Sequence, residues 1–218
     1  MVVQGHWLKD AVCHRAKKDI SKKILVSQTD VTIPDNMNVR YSQSQMVTSN
    51  KFFYPVAPSA FKNHECIFEA VDILVSKGIT DFEVLLTIDN DDGQYPEKSQ
   101  IAYLGKQTRE RVLEILCDSV LVFPSYIETY GLPMAEARAV GCVTIASDCP
   151  FSHELLDDYA NAYFFDPFQS EQLATYMERI ISGSMPYKQQ LRLQTTRITW
   201  DDIMAAFHEI ITHNPTFF

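Results

Sequence analysis

No segment of this 218-residue sequence is apolar for long enough to cross a membrane, since a membrane helix needs roughly 18 consecutive apolar residues. A secretory signal is also missing, because the first residues, MVVQGHWLKD, have no basic start followed by an apolar run. The sequence contains no internal repeat and no low-complexity linker. These absences argue against membrane-spanning, secreted and repeat proteins, and we expect a globular protein of the cytoplasm.

Cysteine patterns that bind metals are absent as well. The five cysteines, at positions 13, 66, 117, 142 and 149, match no metal-ligand spacing. Their number is odd, and most of them lie inside apolar segments. This distribution indicates reduced, buried thiols.

Positive charge is scarce, because 19 Lys and Arg residues stand against 28 Asp and Glu residues, for a net charge of −9. Nucleic acid is therefore not expected as a partner, since binding it requires a basic surface. One basic cluster is present and indicates a solvated helix face, with contact to anionic lipid at the inner membrane surface as the alternative. Its members are His14, Arg15, Lys17, Lys18, Lys22 and Lys23.

From about residue 52 onward, short apolar runs alternate with amphipathic helical patterns. Strands are predicted at 52–56, 82–88, 101–105, 119–125, 142–148 and 161–167, and helices at 64–78, 108–117, 132–140, 152–158 and 170–183. Apolar strands separated by helices are typical of a parallel sheet that is covered on both faces. The sequence therefore predicts an α/β fold with a doubly wound, Rossmann-like parallel sheet.

The remaining segments flank this α/β domain, which we assign to residues 51–198. Residues 1–28 contain a helical stretch and a strand, and they look like the tail of another α/β domain. Residues 29–50 are polar and predict a linker or long loop. Residues 199–218 begin a final helix, predicted over 199–214, with a Thr cap followed by Asp residues that suit the helix dipole.

The stretch ETYGLPMAEA, residues 128–137, stands where an apolar strand ends and a helix begins. Gly131 has no side chain, so a ligand can approach its amide closely. Leu132 and Pro133 begin a helix whose first N–H groups are free. Such a helix terminus is suited to an anion, most often a phosphate.

Two carboxylates flank this turn. Glu128 lies just before it, and Glu136 lies about one turn into the helix, where it can accept hydrogen bonds from paired hydroxyls such as those of a ribose. By themselves, two glutamates at this spacing occur by chance in many chains, and Glu136 would then be an ordinary exposed residue. The apolar strand before the turn, the small-residue helix and the Gly stop after it favour the binding site.

With its flanks, this stretch resembles the motif of the retaining glycosyltransferases of family 4. That motif is a Glu, seven residues and a second Glu, matched here by ETYGLPMAE. The resemblance runs from about residue 52 to the last helix and includes SDCPFSHELLDDYANAYFFDP at 147–167. It implies the GT-B architecture of two Rossmann-like domains facing a cleft, with this chain supplying the second, donor-binding domain and residues 1–28 a remnant of the first, acceptor-side domain.

By this resemblance, Glu136 binds the ribose of a nucleotide-sugar donor, either a UDP-sugar or a GDP-sugar. Glu128 contacts the transferred sugar in a catalytic role. The backbone amides of the turn face the sugar and the diphosphate, and they belong to Tyr130, Gly131 and Leu132. The implied activity is transfer of a hexosyl group with retention of configuration, as in polysaccharide biosynthesis.

The resemblance also implies a diphosphate ligand, Lys62, in the stretch FYPVAPSAFKNH. The Arg that family members commonly carry a few residues earlier is replaced by an apolar or small residue. Lys62 and the helix terminus at Gly131 can stabilise the negative charge of the leaving group without a metal or other cofactor. Glu154 lies in a loop that approaches the donor in the family and is a further candidate contact.

A competing signal lies in TIDNDDG, residues 87–93. Asp89 and Asp91 form an Asp-x-Asp pattern after an apolar strand, which indicates a metal-dependent transferase as an alternative. The other interpretation is a turn built from Asp, Asn and Gly. A calcium loop is excluded because Gln100 stands where a bidentate acid is required.

A complete family member also has a first domain with a Gly-rich loop and residues that face the acceptor, and this sequence contains neither. We therefore expect a donor-binding half that is weakly active alone and completed by a separate N-terminal domain. A nucleotide-binding module without transfer activity is the alternative. The acceptor would be a saccharide or a lipid-linked glycan.

Overall fold

The computed structural model describes residues 1–16, 19–28, 31–34, 37 and 46–187, together with residues 204, 205 and 208. Its strands are β1 (Val2–Val3), β2 (Leu25–Val26), β3 (Met46–Val47), β4 (Lys51–Tyr54), β5 (Glu83–Leu86), β6 (Ile101–Tyr103), β7 (Val120–Phe123), β8 (Thr144–Ser147), β9 (Ala162–Phe165) and β10 (Met185–Pro186). Its helices are α1 (His6–Arg15), α2 (His64–Ser76), α3 (Arg109–Asp118), α4 (Leu132–Ala139), α5 (Pro150–Leu156) and α6 (Ser170–Ile181).

Six strands form one parallel sheet in the order β6-β5-β4-β7-β8-β9. Every residue of β7 and β8 is buried, as expected of strands covered on both faces. In the register, Phe53 of β4 lies opposite Leu85 on one side and Leu121 on the other. The predicted α/β fold with a doubly wound, Rossmann-like parallel sheet is confirmed.

Helices cover both faces of this sheet. The chain moves outward from β4 to β5 through α2, and in the opposite direction from β7 to β8 through α4. Right-handed crossovers in opposite directions put their helices on opposite faces. Accordingly α2 packs against α6, whereas α4 packs against α3 and α5.

The helices form where the apolar period predicts them. In α2 the residues Ile67, Ala70, Val71 and Leu74 are fully buried, so the predicted helical stripe faces the core. Helix α3 starts after Thr108, whose side-chain oxygen accepts a hydrogen bond from the amide of Arg111 at 3.3 Å. None of the helices in the described part of the chain is long and apolar enough to span a membrane.

The N-terminal segment forms a small β-α-β unit. Strands β1 and β2 pair in parallel and α1 connects them. The predicted strand at 22–28 is reduced to β2, because residues 21–23 form a 3-10 turn instead. Strand β1 is missing from the prediction, since two residues are too few to display a period. In the basic cluster, His14, Arg15, Lys22 and Lys23 are exposed, as on a solvated face, and lipid contact stays a prediction.

The predicted linker at 29–50 contains structure that the polar composition does not indicate. Ile33 and Val47 are buried in the main core, and β3 pairs antiparallel with β10. Isolated apolar residues in a polar segment carry no periodic signal, so only the packing identifies them. Residues 29, 30, 35, 36 and 38–45 of that segment, and nearly all of the final helix predicted at 199–214, lie outside the described residues. The domain boundaries stay predictions.

Candidate functional site

The site lies where the direction of the sheet connections reverses. Strands β4 and β7 are neighbours at the centre of the sheet, and the chain leaves them in opposite directions. In doubly wound sheets this reversal opens a crevice at the carboxyl ends of the two strands, where ligands bind. The loop after β4 carries Lys62 and the loop after β7 carries Glu128.

Lys62 and Glu128 meet in this crevice as an ion pair. The Lys62 Nζ lies 2.5 Å from the Glu128 Oε1, and their side chains are 17% and 11% exposed. Because water is largely excluded, the charges act on each other, and on any ligand, more strongly than surface charges do. Two predicted residues that are far apart in the sequence are thus in direct contact.

The turn after Glu128 has the backbone that the sequence pattern requires. Gly131 adopts φ 89° and ψ 51°, a left-handed conformation, and it precedes α4 without any side chain capping the helix. A Cβ at this position would collide with the Cε of Met134. Pro133 lies in the first turn, where a missing N–H costs nothing. The structure therefore presents a helix terminus next to the ion pair, and ligand binding by the amides of Tyr130, Gly131 and Leu132 stays a prediction.

Glu136 is buried on α4, with 4% of its surface exposed. Its Oε1 accepts a hydrogen bond from the Nε of Arg109 at 2.9 Å, and Arg109 also donates to the Thr32 carbonyl oxygen at 3.2 Å. A buried carboxylate without a cation would be costly, and Arg109 supplies that partner for Glu136. The sequence pattern did not identify Arg109, because it is the first residue of another helix and looks like an ordinary surface charge.

A groove of about 740 Å³ lies between three loops of the sheet and the start of α3, the helix that begins with Arg109. It is lined by the loops that follow β4, β5 and β6, and by the start of α3; the lining residues include Pro55, Thr87, Tyr95, Gln107 and Val112. Gln107 and Val112, which line the groove, stand on either side of Arg109 in the chain. No local pattern predicts the groove, because its lining comes from loops with no common motif.

Asp89 and Asp91 line this groove in a turn. The Asn90 side-chain oxygen accepts from the Tyr95 amide at 2.7 Å, and the Gly93 amide donates to the Asn90 carbonyl oxygen at 3.0 Å. In the part of the chain that the structure describes, no group of three or more His, Cys, Asp or Glu side chains could hold a metal ion. The local geometry is that of an Asp, Asn and Gly turn.

Glu154 contacts the N-terminal segment. Its carboxylate accepts hydrogen bonds from the amides of His6 and Trp7 at 2.7 and 2.8 Å, and from the Gln28 Nε2 at 3.0 Å. The His6 and Trp7 amides lie in the first turn of α1, where no helix carbonyl can accept from them and where a negative charge also suits the helix dipole. The described contacts of Glu154 thus join α5 to α1, and a role in donor binding stays a prediction.

His64, the first residue of α2, lies beside Lys62 but is buried. Burial, with the nearby positive charge of Lys62, lowers the pKa of His64 to about 4. The imidazole is therefore neutral near pH 7. Lys62 and not His64 supplies the positive charge at this point of the crevice.

A histidine at the edge of the sheet makes the stability depend on pH. The His153 Nε2 lies 2.6 Å from Asp148 and the Nδ1 lies 2.5 Å from Asp157, while the ring stacks on Phe164 at 4.3 Å. Hydrogen bonds to Asp148 and Asp157 raise the pKa of His153 above its usual value. The folded state therefore holds this proton more tightly than the unfolded chain, and the stabilisation is complete below the unfolded pKa.

We expect the stabilisation by His153 to be lost as the pH rises through its raised pKa. Thermal unfolding of the protein and of His153→Gln, followed by circular dichroism between pH 5.5 and 9, would measure it. The melting temperature of the variant should be lower by a few degrees at the acidic end, with the difference shrinking at the alkaline end. His14→Gln, on the exposed surface of α1, is the control, and a difference independent of pH would contradict the prediction.

The family model described as glycosyl transferases group 1 matches residues 62–197, which is more than half of the chain and includes both ion pairs. A sequence search of curated proteins found no significant match. The family match thus covers Lys62, Glu128 and Glu136.

Solved structures with the same fold include several glycosyltransferases. The lipopolysaccharide outer core galactosyltransferase WaaB, in its apo form, has a TM-score of 0.65 at 17% identity, over 98% of this chain and 61% of that one. TarM of S. aureus, in complex with UDP, has a TM-score of 0.66 at 13% identity, over 84% of this chain and 37% of that one. The pneumococcal O-GlcNAc transferase GtfA, with UDP and GlcNAc, has a TM-score of 0.55 at 18% identity, over 83% of this chain and 37% of that one.

This chain spans less than two thirds of the length of each of these structures. At such low identity the likeness shows the fold, that of a GT-B glycosyltransferase domain. The family follows from the sequence match over residues 62–197. The chain belongs to the group 1 glycosyl transferases.

Proposed function

We propose that this chain is the donor-binding domain of a retaining glycosyltransferase, which transfers a hexosyl group from a nucleoside-diphosphate sugar. The observation that carries the proposal is the Lys62–Glu128 ion pair, which lies in the switch-point crevice beside the Gly131 turn. This arrangement supplies a cation, the backbone amides of a helix terminus and a carboxylate within one crevice. Those are the groups that a sugar diphosphate requires.

The diphosphate is assigned to Lys62 and the start of α4. As the glycosidic bond breaks, negative charge grows on the leaving diphosphate, and a positive charge already held in place stabilises it. The amides of Gly131 and Leu132 add partial positive charge at the helix terminus. Glu128, which pairs with Lys62, is assigned to the hydroxyls of the transferred sugar.

The ribose is assigned to Glu136 and the base to the adjoining groove. Arg109 donates to the Glu136 Oε1, and a carboxylate also accepts hydrogen bonds from two vicinal hydroxyls. The groove of about 740 Å³ is large enough for a nucleoside, because ligand pockets typically measure about 300–1,000 Å³. The donor would then extend from the groove past Glu136 to Lys62.

The acceptor and the first domain are assigned to protein outside this chain. The related structures named above include a lipopolysaccharide galactosyltransferase and complexes with UDP, which supports a UDP-sugar donor and a glycan acceptor. Because the chain spans only part of their length, we propose that a separate N-terminal domain completes the cleft. Transfer by this chain alone should be weak, and the location should be the cytoplasm, with the inner membrane face as a further option.

The test is nucleotide binding by the whole chain, measured by calorimetry with UDP and GDP in EDTA and then with Mg²⁺ or Mn²⁺. We expect binding that survives EDTA and weakens by roughly 30-fold in Glu136→Gln, since the neutral amide loses charge-assisted hydrogen bonds and leaves Arg109 without its anion. Glu178→Gln is the control, because it removes an exposed acid on α6 that pairs with Lys77.

Three outcomes would contradict the proposal. Absence of UDP and GDP binding would exclude a donor domain. Strict metal dependence that disappears in Asp89→Asn would instead favour the metal-dependent alternative. Robust sugar transfer by the purified chain would show that no separate domain is needed.

A further inference from the structure

We propose that Asn63 is a positioning residue that holds Lys62 opposite Glu128, an inference that rests on the proposed function. Asn63 follows Lys62 directly, ends the 3-10 turn of residues 60–62 and precedes α2. In the described part of the chain, its side chain bonds to the carbonyl oxygens of Pro124 and Pro167 and not to the ion pair. Its effect on the ion pair is exerted through the backbone.

The backbone of Asn63 is unusual. Its φ is 57° and its ψ is 44°, and among the described residues it is the one non-glycine residue with a positive φ. This left-handed conformation costs most side chains about 1–2 kcal/mol, whereas Asn adopts it more readily than other residues. The conformation reverses the chain direction between the 3-10 turn and α2, and this reversal places Lys62 at the edge of the crevice.

The side chain of Asn63 makes bonds that a helix-capping residue would not make. Asn is favoured before a helix because its oxygen caps the first amides, but here it makes no such bond. Instead its Nδ2 donates to the carbonyl oxygens of Pro124 at 3.2 Å and Pro167 at 2.7 Å. Both amide protons are therefore used to join the loop of Lys62 to the loops after β7 and β9.

Pro124 belongs to the same loop as Glu128, so the bond to its carbonyl oxygen links the two halves of the ion pair. The Tyr126 amide donates to the Phe61 carbonyl oxygen at 3.1 Å and makes a second link between the same loops. Together these bonds hold the residues before and after Lys62 against the segment that leads to Glu128.

A buried hydroxyl makes a third link. The Tyr54 hydroxyl donates to the Lys62 carbonyl oxygen at 2.8 Å and lies 2.7 Å from the Ser125 Oγ. Because the hydroxyl has one proton and a carbonyl oxygen can only accept, Ser125 must donate to Tyr54. Burial raises the pKa of Tyr54 far above its usual value, so this proton is retained.

These links make the position of Lys62 depend on Asn63 as well as on Glu128. An ion pair between two flexible loops would give up part of its energy to side-chain and backbone ordering. Here the backbone is fixed on both sides of Lys62 before any ligand arrives. A cation held in place in this way stabilises a leaving diphosphate without reorganisation.

The test compares Asn63→Gly, which keeps the left-handed backbone and removes the amide, with wild type in the full chain. Calorimetry would use UDP and GDP against UMP and GMP as probes, at temperatures well below unfolding. We expect diphosphate binding to weaken by roughly tenfold, because misplacing a charged contact costs about that much, with monophosphate binding unchanged. Asn63→Ala should bind the nucleotides as Asn63→Gly does. It should melt at a lower temperature than Asn63→Gly, because the left-handed backbone is strained in Ala and not in Gly.

A second measurement separates positioning from a general loss of structure. In a Lys62→Met background, Asn63→Gly should have no further effect on diphosphate binding, because the group that it positions is gone. Tyr54→Phe, which removes only the buried hydroxyl, should weaken diphosphate binding in the same direction. These two results would support the inference even where Asn63→Ala does not fold.

Three results would overturn it. If Asn63→Gly binds diphosphates like wild type, or weakens monophosphates equally, Asn63 has no positioning role. If its effect persists undiminished without Lys62, it acts through another group. If wild type binds no UDP or GDP, the proposed function fails and this inference fails with it, an outcome distinguishable from the first two.

Discussion

Replacing Lys62 with methionine is expected to weaken the binding of UDP or GDP by roughly 100-fold, because truncating one member of a largely buried ion pair typically costs several kcal/mol. Two effects combine. The diphosphate loses its cation, and the Glu128 carboxylate, only 11% exposed, is left without a partner in the same crevice. Its negative charge then repels the ligand. Binding of UMP or GMP should change much less, so calorimetry with all four nucleotides measures the effect.

The matched control for this substitution is Lys98→Met. Lys98 is also a largely buried lysine in an ion pair, since its side chain is 19% exposed and its Nζ lies 2.5 Å from Asp72. Its pair lies outside the switch-point crevice, so nucleotide binding should be unchanged. If Lys62→Met bound UDP and GDP like wild type, Lys62 would not be the diphosphate ligand.

Substitution of the other member of the pair should not weaken diphosphate binding. Glu128→Gln removes the negative charge and leaves Lys62 available to the ligand, so diphosphate binding should be equal or tighter. Sugar transfer, measured together with the acceptor domain, should nevertheless be lost, because the carboxylate assigned to the sugar is gone. Equal loss of binding in both variants would indicate that the ion pair is structural.

Replacing Gly131 with alanine is expected to have the second large effect. The residue has φ 89°, where a Cβ costs about 1–2 kcal/mol. The Cβ would also collide with Met134, which is fully buried. Because the colliding atom is the end of a flexible side chain, Met134 must repack within the core, so the melting temperature should drop by several degrees and UDP and GDP binding should weaken as the turn before α4 adjusts.

Gly78→Ala is the control for Gly131→Ala. Gly78 has φ 80°, nearly the same backbone, but a Cβ there would meet nothing within 4 Å. Gly78→Ala therefore has the same energetic cost of a left-handed alanine. It has no collision with a neighbour and lies outside the binding site. Thermal unfolding and calorimetry on both variants would separate the three contributions. If the two variants lost the same stability and both retained nucleotide binding, the close approach at Gly131 would have no functional part.

The strands and helices of the central domain could be predicted from the sequence because their signals are local. Apolar runs such as 119–125 identify buried strands, and the stripe of Ile67, Ala70 and Leu74 identifies a helix face, whatever the rest of the chain does. The turn at Gly131 was predictable for the same reason, since a strand end, a glycine and a proline are adjacent in the sequence. The observed ends of the strands and helices differ from the predicted ends by a few residues, because the apolar pattern is weak at the end of an element.

Contacts between distant segments could not be predicted from local patterns. Arg109 and Glu136 are separated by 27 positions, and nothing in the sequence near either residue indicates the other. Glu154 looked like a loop residue near a ligand, while its described contacts are with α1, almost 150 residues earlier in the chain. Which charges meet depends on how helices pack on the sheet, and periodicity does not contain that information.

The sequence by itself determined the α/β class, the buried strands, and the glycine turn with its two flanking acids. Only the tertiary structure decided that Lys62 and Glu128 form one ion pair and that Asn63 joins the loops that carry them. It also decided that Arg109 pairs with Glu136. The physical reason is that helix and strand formation depends on neighbours a few residues apart, whereas the crevice is made by two strands that become adjacent only when the chain reverses direction in the sheet.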